Sequence, residues 1–185
     1  MSIDRLIALA RLSEQCAVDL EEPVERYVEV VQATLAGGHT VFFAGNGGSA
    51  AHAQHVATEY VVRYKPVVRH AARAVALSTD SSLITAAAND LGFDAIFARQ
   101  IEAHGQEGDL LVVISTSGNS ANLVRAVDAA KAYELRTVGL LGGDGGRLRT
   151  MVDLAIVVPS GDTALVQEVQ LAIDHHVCSV VEPTL

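Results

Sequence analysis

The stretch Leu110-Leu111-Val112-Val113-Ile114-Ser115-Thr116-Ser117-Gly118-Asn119-Ser120 decides the architecture of this chain. Its first five residues are aliphatic without polar alternation, which describes a strand covered on both faces rather than one with a wet side. The next six combine hydroxyls with a glycine, the chemistry of a turn, and a helical stretch begins near Ala121. A strand, a small-residue turn and then a helix make one unit of a parallel α/β sheet.

Working outward from this unit, the same order recurs at Thr40–Ala44, Ala74–Leu77, Thr137–Leu141 and Leu154–Val158. Five short apolar runs with helical stretches between them predict a doubly wound, flavodoxin-like five-stranded parallel sheet. In such a sheet, ligands bind beyond the carboxyl ends of the strands near a topological switch point. Ahead of the repeat, residues 3–36 read as two helices. Leu6, Leu9 and Leu12, then Val24, Tyr27, Val28, Val31 and Leu35, supply the helical spacing, Pro23 sits in the first turn of the second helix, and Gly37-Gly38 ends it. The expected organisation is one domain over 1–185, with 1–36 as a helical segment whose spare apolar stripes suit self-association.

Composition removes several function classes. Thirteen Lys+Arg against twenty-two Asp+Glu leave a net charge of −9, so the basic footprint of a nucleic-acid or anionic-membrane binder is missing. Any phosphate must be held locally, by backbone N–H groups and hydroxyls. The apolar runs are far shorter than the roughly 20 residues that span a bilayer. Asp4, Arg5, Arg11 and Glu14 break up the start, which does not resemble a secretory signal, and a cytoplasmic address is the expectation. Cys16 and Cys178 belong to no C-x-x-C pair and read as small buried hydrophobes.

Two post-strand segments carry candidate chemistry. Gly45-Asn46-Gly47-Gly48-Ser49 succeeds the first strand and opens a helix, where unpaired N–H groups can meet a phosphate or a sugar oxygen. The alternative is a tight turn with Ser49 as N-cap. Ala50 excludes the G-x-G-x-x-G dinucleotide fingerprint, and no Gly-Lys-Ser/Thr comes after it to make a Walker loop. Ser115, Thr116, Ser117 and Ser120 present donors at a second helix start and point to phosphate binding.

Two helices add titratable groups. His55 and Glu59, four apart, fall about 40° from each other on one helix face, so either a metal site or an acid/base pair can be built there. Arg63 extends that spacing, and the alternative is a Glu59–Arg63 pair on a solvated face. In the last helix, from about Thr163 to Glu182, Gln167 and His175 are about 80° apart over two turns. Adjacent His175 and His176 diverge by about 100°, so at most one of them joins a given site.

Taken together, the glycine turn, the His55…Glu59…Arg63 helix, Asn89-Asp90, the serine-rich loop and Gln167…His175 resemble the bacterial phosphoheptose isomerases of the sugar isomerase (SIS) domain superfamily. The resemblance implies an aldose–ketose isomerase that converts sedoheptulose 7-phosphate into D-glycero-D-manno-heptose 7-phosphate, the first step toward nucleotide-activated heptose. It implies a cytoplasmic homotetramer with sites shared between subunits and one zinc per subunit on His55, Glu59, Gln167 and His175. Glu59 and His175 would be the acid/base pair. Asn46, Gly47, Gly48, Ser49, Glu59, Arg63, Asn89, Asp90, Ser115, Thr116, Ser117, Ser120 and Gln167 would contact the substrate. The chain departs from the family pattern at Ala164, at Leu165, where a basic residue is usual, and at Gln170, where histidine is frequent; His52 offers a substitute ligand. Two other functions occur within this superfamily: a non-catalytic protein that associates with a replication initiator and lacks much of the acid/base set, which Glu59 and His175 argue against here, and an isomerase of another sugar phosphate, since the phosphate loop does not measure carbon chain length.

Overall fold

The computed structural model describes residues 4–66 and 68–185. Helices α1 (Asp4–Asp19) and α2 (Glu21–Ala36) lead into strand β1 (Val41–Gly45) and helix α3 (Gly48–Val61). Next come β2 (Ala74–Ala76), α4 (Ser81–Leu91), α5 (Ala98–His104), β3 (Leu110–Ser115), α6 (Ala121–Ala132), β4 (Arg136–Gly142), a single turn α7 (Leu148–Met151), β5 (Leu154–Val158) and α8 (Thr163–Val181). The expected helix start at residue 3 lies outside the described residues. Pro23 falls in the first turn of α2, where its missing N–H leaves no helical carbonyl unpaired, as the sequence pattern requires.

All five strands run parallel in the order β2-β1-β3-β4-β5. This is the doubly wound order whose switch point lies between β1 and β3. The strand ends differ from the sequence reading by a residue, for a local reason. Asp109 accepts the Thr40 N–H at 2.7 Å and the Gln106 N–H at 3.0 Å, and this carboxylate turn takes Thr40 out of the ladder, which starts at Val41. Leu77 leaves β2 although its N–H still donates to the Phe43 carbonyl at 2.9 Å. Every residue of β1 and β3 is buried, whereas the edge strands β2 and β5 alternate between buried and partly exposed, because each has only one neighbouring strand.

Successive side chains along a strand face opposite layers. Val41, Phe43, Val112, Ile114 and Leu140 join the core under α1, α2, α3 and α8. Phe42, Ala44, Leu111, Val113 and Leu141 join the second core, under α4, α5 and α6. Leu12, Tyr27, Val28 and Val31 bind the N-terminal helices into the first core, while Leu6, Ile7 and Val18 stay exposed on α1. Cys16 and Cys178 are free and buried. Among the described residues no helix is long and apolar enough to cross a membrane.

Candidate active site

The register Gly45↔Ile114 sets the ends of β1 and β3 side by side, so the glycine turn and the serine loop meet at the switch point. Gly47 is the N-cap of α3 with φ +54°, a left-handed conformation that a residue with Cβ resists. The N-cap is therefore Gly47 and not Ser49, which is buried in the first turn. No side chain caps that terminus; the Ser49 N–H donates to the Asn46 carbonyl and the Ala50 and Ala51 N–H groups to that of Gly47.

Gly118, at φ +62°, lets the serine loop pass directly against the Gly145 backbone, and its N–H donates to Ser115 Oγ at 3.0 Å. Ser117 Oγ accepts from the Asn119 N–H at 3.3 Å. Ser120 is the N-cap of α6, yet its hydroxyl makes no capping bond and is available to a ligand. A reciprocal amide pair ties the two segments: Asn46 Nδ2 donates to Asn122 Oδ1 at 2.9 Å, and Asn122 Nδ2 to Asn46 Oδ1 at 2.8 Å. Between them opens a concavity of about 220 Å³ lined by Asn46, Ser49, Ile114, Ser115, Thr116, Ser117, Ser120, Thr163 and Gln167. Hydroxyls, amides and two helix N-termini line this concavity with no cation among its residues, a donor set that could hold an anion without a basic side chain.

About seven residues along α3, roughly 10 Å at 1.5 Å per residue, lies a second cluster. His55 Nε2 is 2.9 Å from His175 Nε2 and 3.4 Å from Glu59 Oε1. One ligand atom from each of these three residues lies within 4.8 Å of the others. Nitrogens on a tetrahedral zinc stand about 3.3 Å apart, so these separations bracket the spacing a metal needs. Two imidazole nitrogens turned toward one another, with a carboxylate beside them, suit a divalent cation in donor type as well. His55 is half exposed while Glu59 and His175 are partly buried, so the cluster opens to solvent on one side. The Tyr64 ring leans on His175 with centroids 5.5 Å apart.

The structure redistributes several sequence expectations. Of the four expected ligands, three converge. Gln167 sits two turns earlier on α8, its amide against Gly48 and the concavity between the two loops. His52 is not a substitute ligand: it is buried, and its Nε2 faces Asp174 Oδ2 at 2.8 Å, on the side of α3 turned to the core. Arg63 is not on the helix, because α3 ends at Val61; its side chain is exposed, and no Glu59–Arg63 ion pair forms among the described residues. Asn89 and Asp90 are exposed on α4, joined by an Asn89 Nδ2–Asp90 Oδ1 bond of 2.6 Å, and do not line the concavity. His176 turns away from His175 into a groove beside α1 and α2, as the angular argument requires. Asn122, Thr163 and Tyr64 were not foreseen. The first two come directly after a turn or cap and could have been found as helix-start polar residues, whereas nothing in the sequence marks Tyr64.

A SIS domain model matches residues 6–142. The chain is 48% identical to the phosphoheptose isomerase of Chlorobium phaeovibrioides, covering 100% of this chain and 88% of that one. It is also 48% identical to that of Geobacter sulfurreducens, with 99% and 98% covered. Among solved structures, the Neisseria gonorrhoeae phosphoheptose isomerase superposes with a TM-score of 0.91 at 37% identity over 97% of this chain and 96% of that one. That from Francisella tularensis gives 0.94 at 33% identity over 97% and 95%. With this fold, the paired glycine and serine loops and such full-length similarity, the chain belongs to the phosphoheptose isomerases of the SIS-domain family.

Proposed function

We propose that the protein interconverts sedoheptulose 7-phosphate and D-glycero-D-manno-heptose 7-phosphate, an aldose–ketose isomerisation at the entry to heptose biosynthesis. The observation that carries this reading is the convergence of His55, Glu59 and His175 at one end of α3, with the phosphate concavity at the other end, in a chain so similar to named isomerases over its full length. The roughly 10 Å between the two suits an extended sugar whose phosphate and carbonyl ends lie apart.

Ser115, Thr116, Ser117 and Ser120 take the phosphate, aided by the N-termini of α3 and α6. Asn46, Gly47, Gly48, Ser49 and Gln167 line the sugar chain, and Arg63, Asn89 and Asp90 are the remaining substrate contacts that the family resemblance implies. Moving the carbonyl from C2 to C1 requires removing a proton from C1 and returning one at C2. Glu59 is the base, its carboxylate partly buried beside His55, and His175, which exchanges with solvent on the open side of the cluster, donates a different proton at C2. His55, Glu59 and His175 would hold one zinc per subunit, while Gln167, the fourth ligand that the resemblance implies, lies two turns away along α8. When bound, the ion polarises the sugar oxygens and stabilises the enediolate charge.

The working form is a cytoplasmic homotetramer with sites shared between subunits. Exposed Leu6 and Ile7 on the 1–36 helical segment and the open side of the His55 cluster support that reading. The test is conversion of sedoheptulose 7-phosphate by the protein as purified, after chelation and after zinc readdition, with mass measured by light scattering. Aldose formation lost on chelation and restored by zinc is expected. A folded, zinc-loaded protein that leaves the ketose untouched refutes the assignment, and conversion of a pentose or hexose phosphate instead would reassign the substrate.

A further inference from the structure

Behind the His55 cluster lies a sealed polar group that the proposed chemistry does not use. Asp174, wholly buried on α8, is the residue before His175. Its Oδ1 accepts the Tyr27 hydroxyl of α2 at 2.9 Å, and its Oδ2 lies 2.8 Å from His52 Nε2 of α3, approached off the axis of the ring N–H. One turn earlier, Gln170 is wholly buried with both amide atoms unpartnered. Burying polar groups among apolar helices is costly, so such a group persists where it fixes an arrangement that packing alone leaves loose.

The pairing has a geometric consequence. His52 and His55 are three apart on α3, and Asp174 and His175 are adjacent on α8, so the His52–Asp174 and His55–His175 contacts span the same two helices one turn from each other. Any slide or roll of α8 on α3 that breaks the first contact also changes the 2.9 Å approach of the second. Tyr27 fixes Asp174 from a third helix, so α8 is held against rotation as well as translation.

We propose that Asp174 is a positioning residue that sets the separation and facing of His55 and His175 through its contacts to His52 and Tyr27. The inference rests on the reading of His55, Glu59 and His175 as metal ligands, and two readouts separate its failure from the failure of that reading. The first is the nuclear Overhauser contact between the His55 and His175 ring protons in metal-free protein. The second is cobalt(II) affinity from its visible absorption.

Asp174→Ala is expected to lose the ring contact and weaken cobalt binding about tenfold, at the lower edge of what outer-sphere partners contribute. Asp174→Asn, which keeps an oxygen for Tyr27 and an amide toward His52, should stay within about threefold of wild type on the same scale. Val127→Ala, wholly buried on α6 in the opposite core, controls for general softening and should move neither readout. Tyr27→Phe is read the same way if Asp174→Ala does not fold. An unchanged ring contact and cobalt affinity in Asp174→Ala, or an equal loss in Val127→Ala, would overturn the proposal. Failure of the wild type to bind cobalt would overturn the metal reading, leaving the ring contact to decide the positioning claim.

Discussion

Replacing Gly48 by alanine separates stability from function at the junction of the two loops. A Cβ at this position would stand 2.6 Å from Gln167 Nε2 and 3.2 Å from its Cδ and Oε1, where ordinary contact begins at 3.4 Å. The amide must therefore withdraw by at least 3.4 − 2.6 = 0.8 Å. Gly48 begins α3 without a positive φ, so alanine brings up to about 1 kcal/mol of helix propensity. Turning the flexible Gln167 side chain off its preferred rotamer costs about 0.5–1.5 kcal/mol. These nearly cancel, and the urea-unfolding free energy should change by less than about 1 kcal/mol. Activity should not be spared, because a group lining the substrate concavity is displaced by nearly an ångström, enough to lower kcat/KM by about 10- to 100-fold. The double variant Gly48→Ala/Gln167→Ala should be no worse than Gln167→Ala alone, since both act on one side chain. Wild-type kcat/KM in Gly48→Ala, or additive losses in the double variant, would refute the placement of Gln167 in the substrate path.

Buried ionisable groups and close-packed glycines give further expectations. Burial raises the pKa of Glu182, but the Tyr64 and Lys65 N–H groups and the Arg69 guanidinium together outweigh it, and its carboxyl lies below the ordinary value of 4.5. The stability it contributes is therefore present above pH 4.5 and lost as pH falls through the depressed value. Arg69 also donates to the Glu59 and Tyr60 carbonyls at 2.6 and 2.8 Å, so Glu182→Gln, by unpairing a buried guanidinium, should destabilise by about 3 kcal/mol and flatten the acid limb of a stability–pH profile. Burial, with Asp174 nearby, pushes the Cys178 thiol up to about 12, so iodoacetamide at pH 8 should leave it unmodified until the chain is unfolded, as monitored by mass spectrometry. Gly118→Ala should fail where Gly48→Ala succeeds, with loss of both fold and activity by thermal melt and rate assay, because its Cβ would run into the Gly145 backbone, which cannot swing aside.

The sheet was legible because buried parallel strands leave a simple trace: Leu110–Ile114 and Leu154–Val158 are apolar throughout, and each runs straight into turn chemistry. The meeting of the glycine turn and the serine loop was legible for the same reason, since pairing of β1 with β3 sets Gly45 beside Ile114 and so brings the two turns together. Helical angle correctly separated His175 from His176. The features that escaped depend on contacts between distant segments. His52 reads as a spare ligand until Asp174, 122 residues away, takes its imidazole. Tyr27 reads as one more apolar residue in a stripe until its hydroxyl meets Asp174, 147 residues on. Arg63 was misplaced because the helical period says nothing of where α3 stops, and the chain leaves it at Val62 on the way to a backbone anchored by Glu182.

In the proposed mechanism Glu59 removes a proton from C1 of a sugar phosphate held by the serine loop. Incubation of wild type and Glu59→Gln with sedoheptulose 7-phosphate in deuterated water, read by NMR, tests it most directly. Aldose carrying solvent deuterium at C2 is expected from the wild type, and a rate lower by about 10²- to 10⁴-fold in Glu59→Gln, with the fold intact. Aldose formed without solvent deuterium, or Glu59→Gln turning over like wild type, would contradict it.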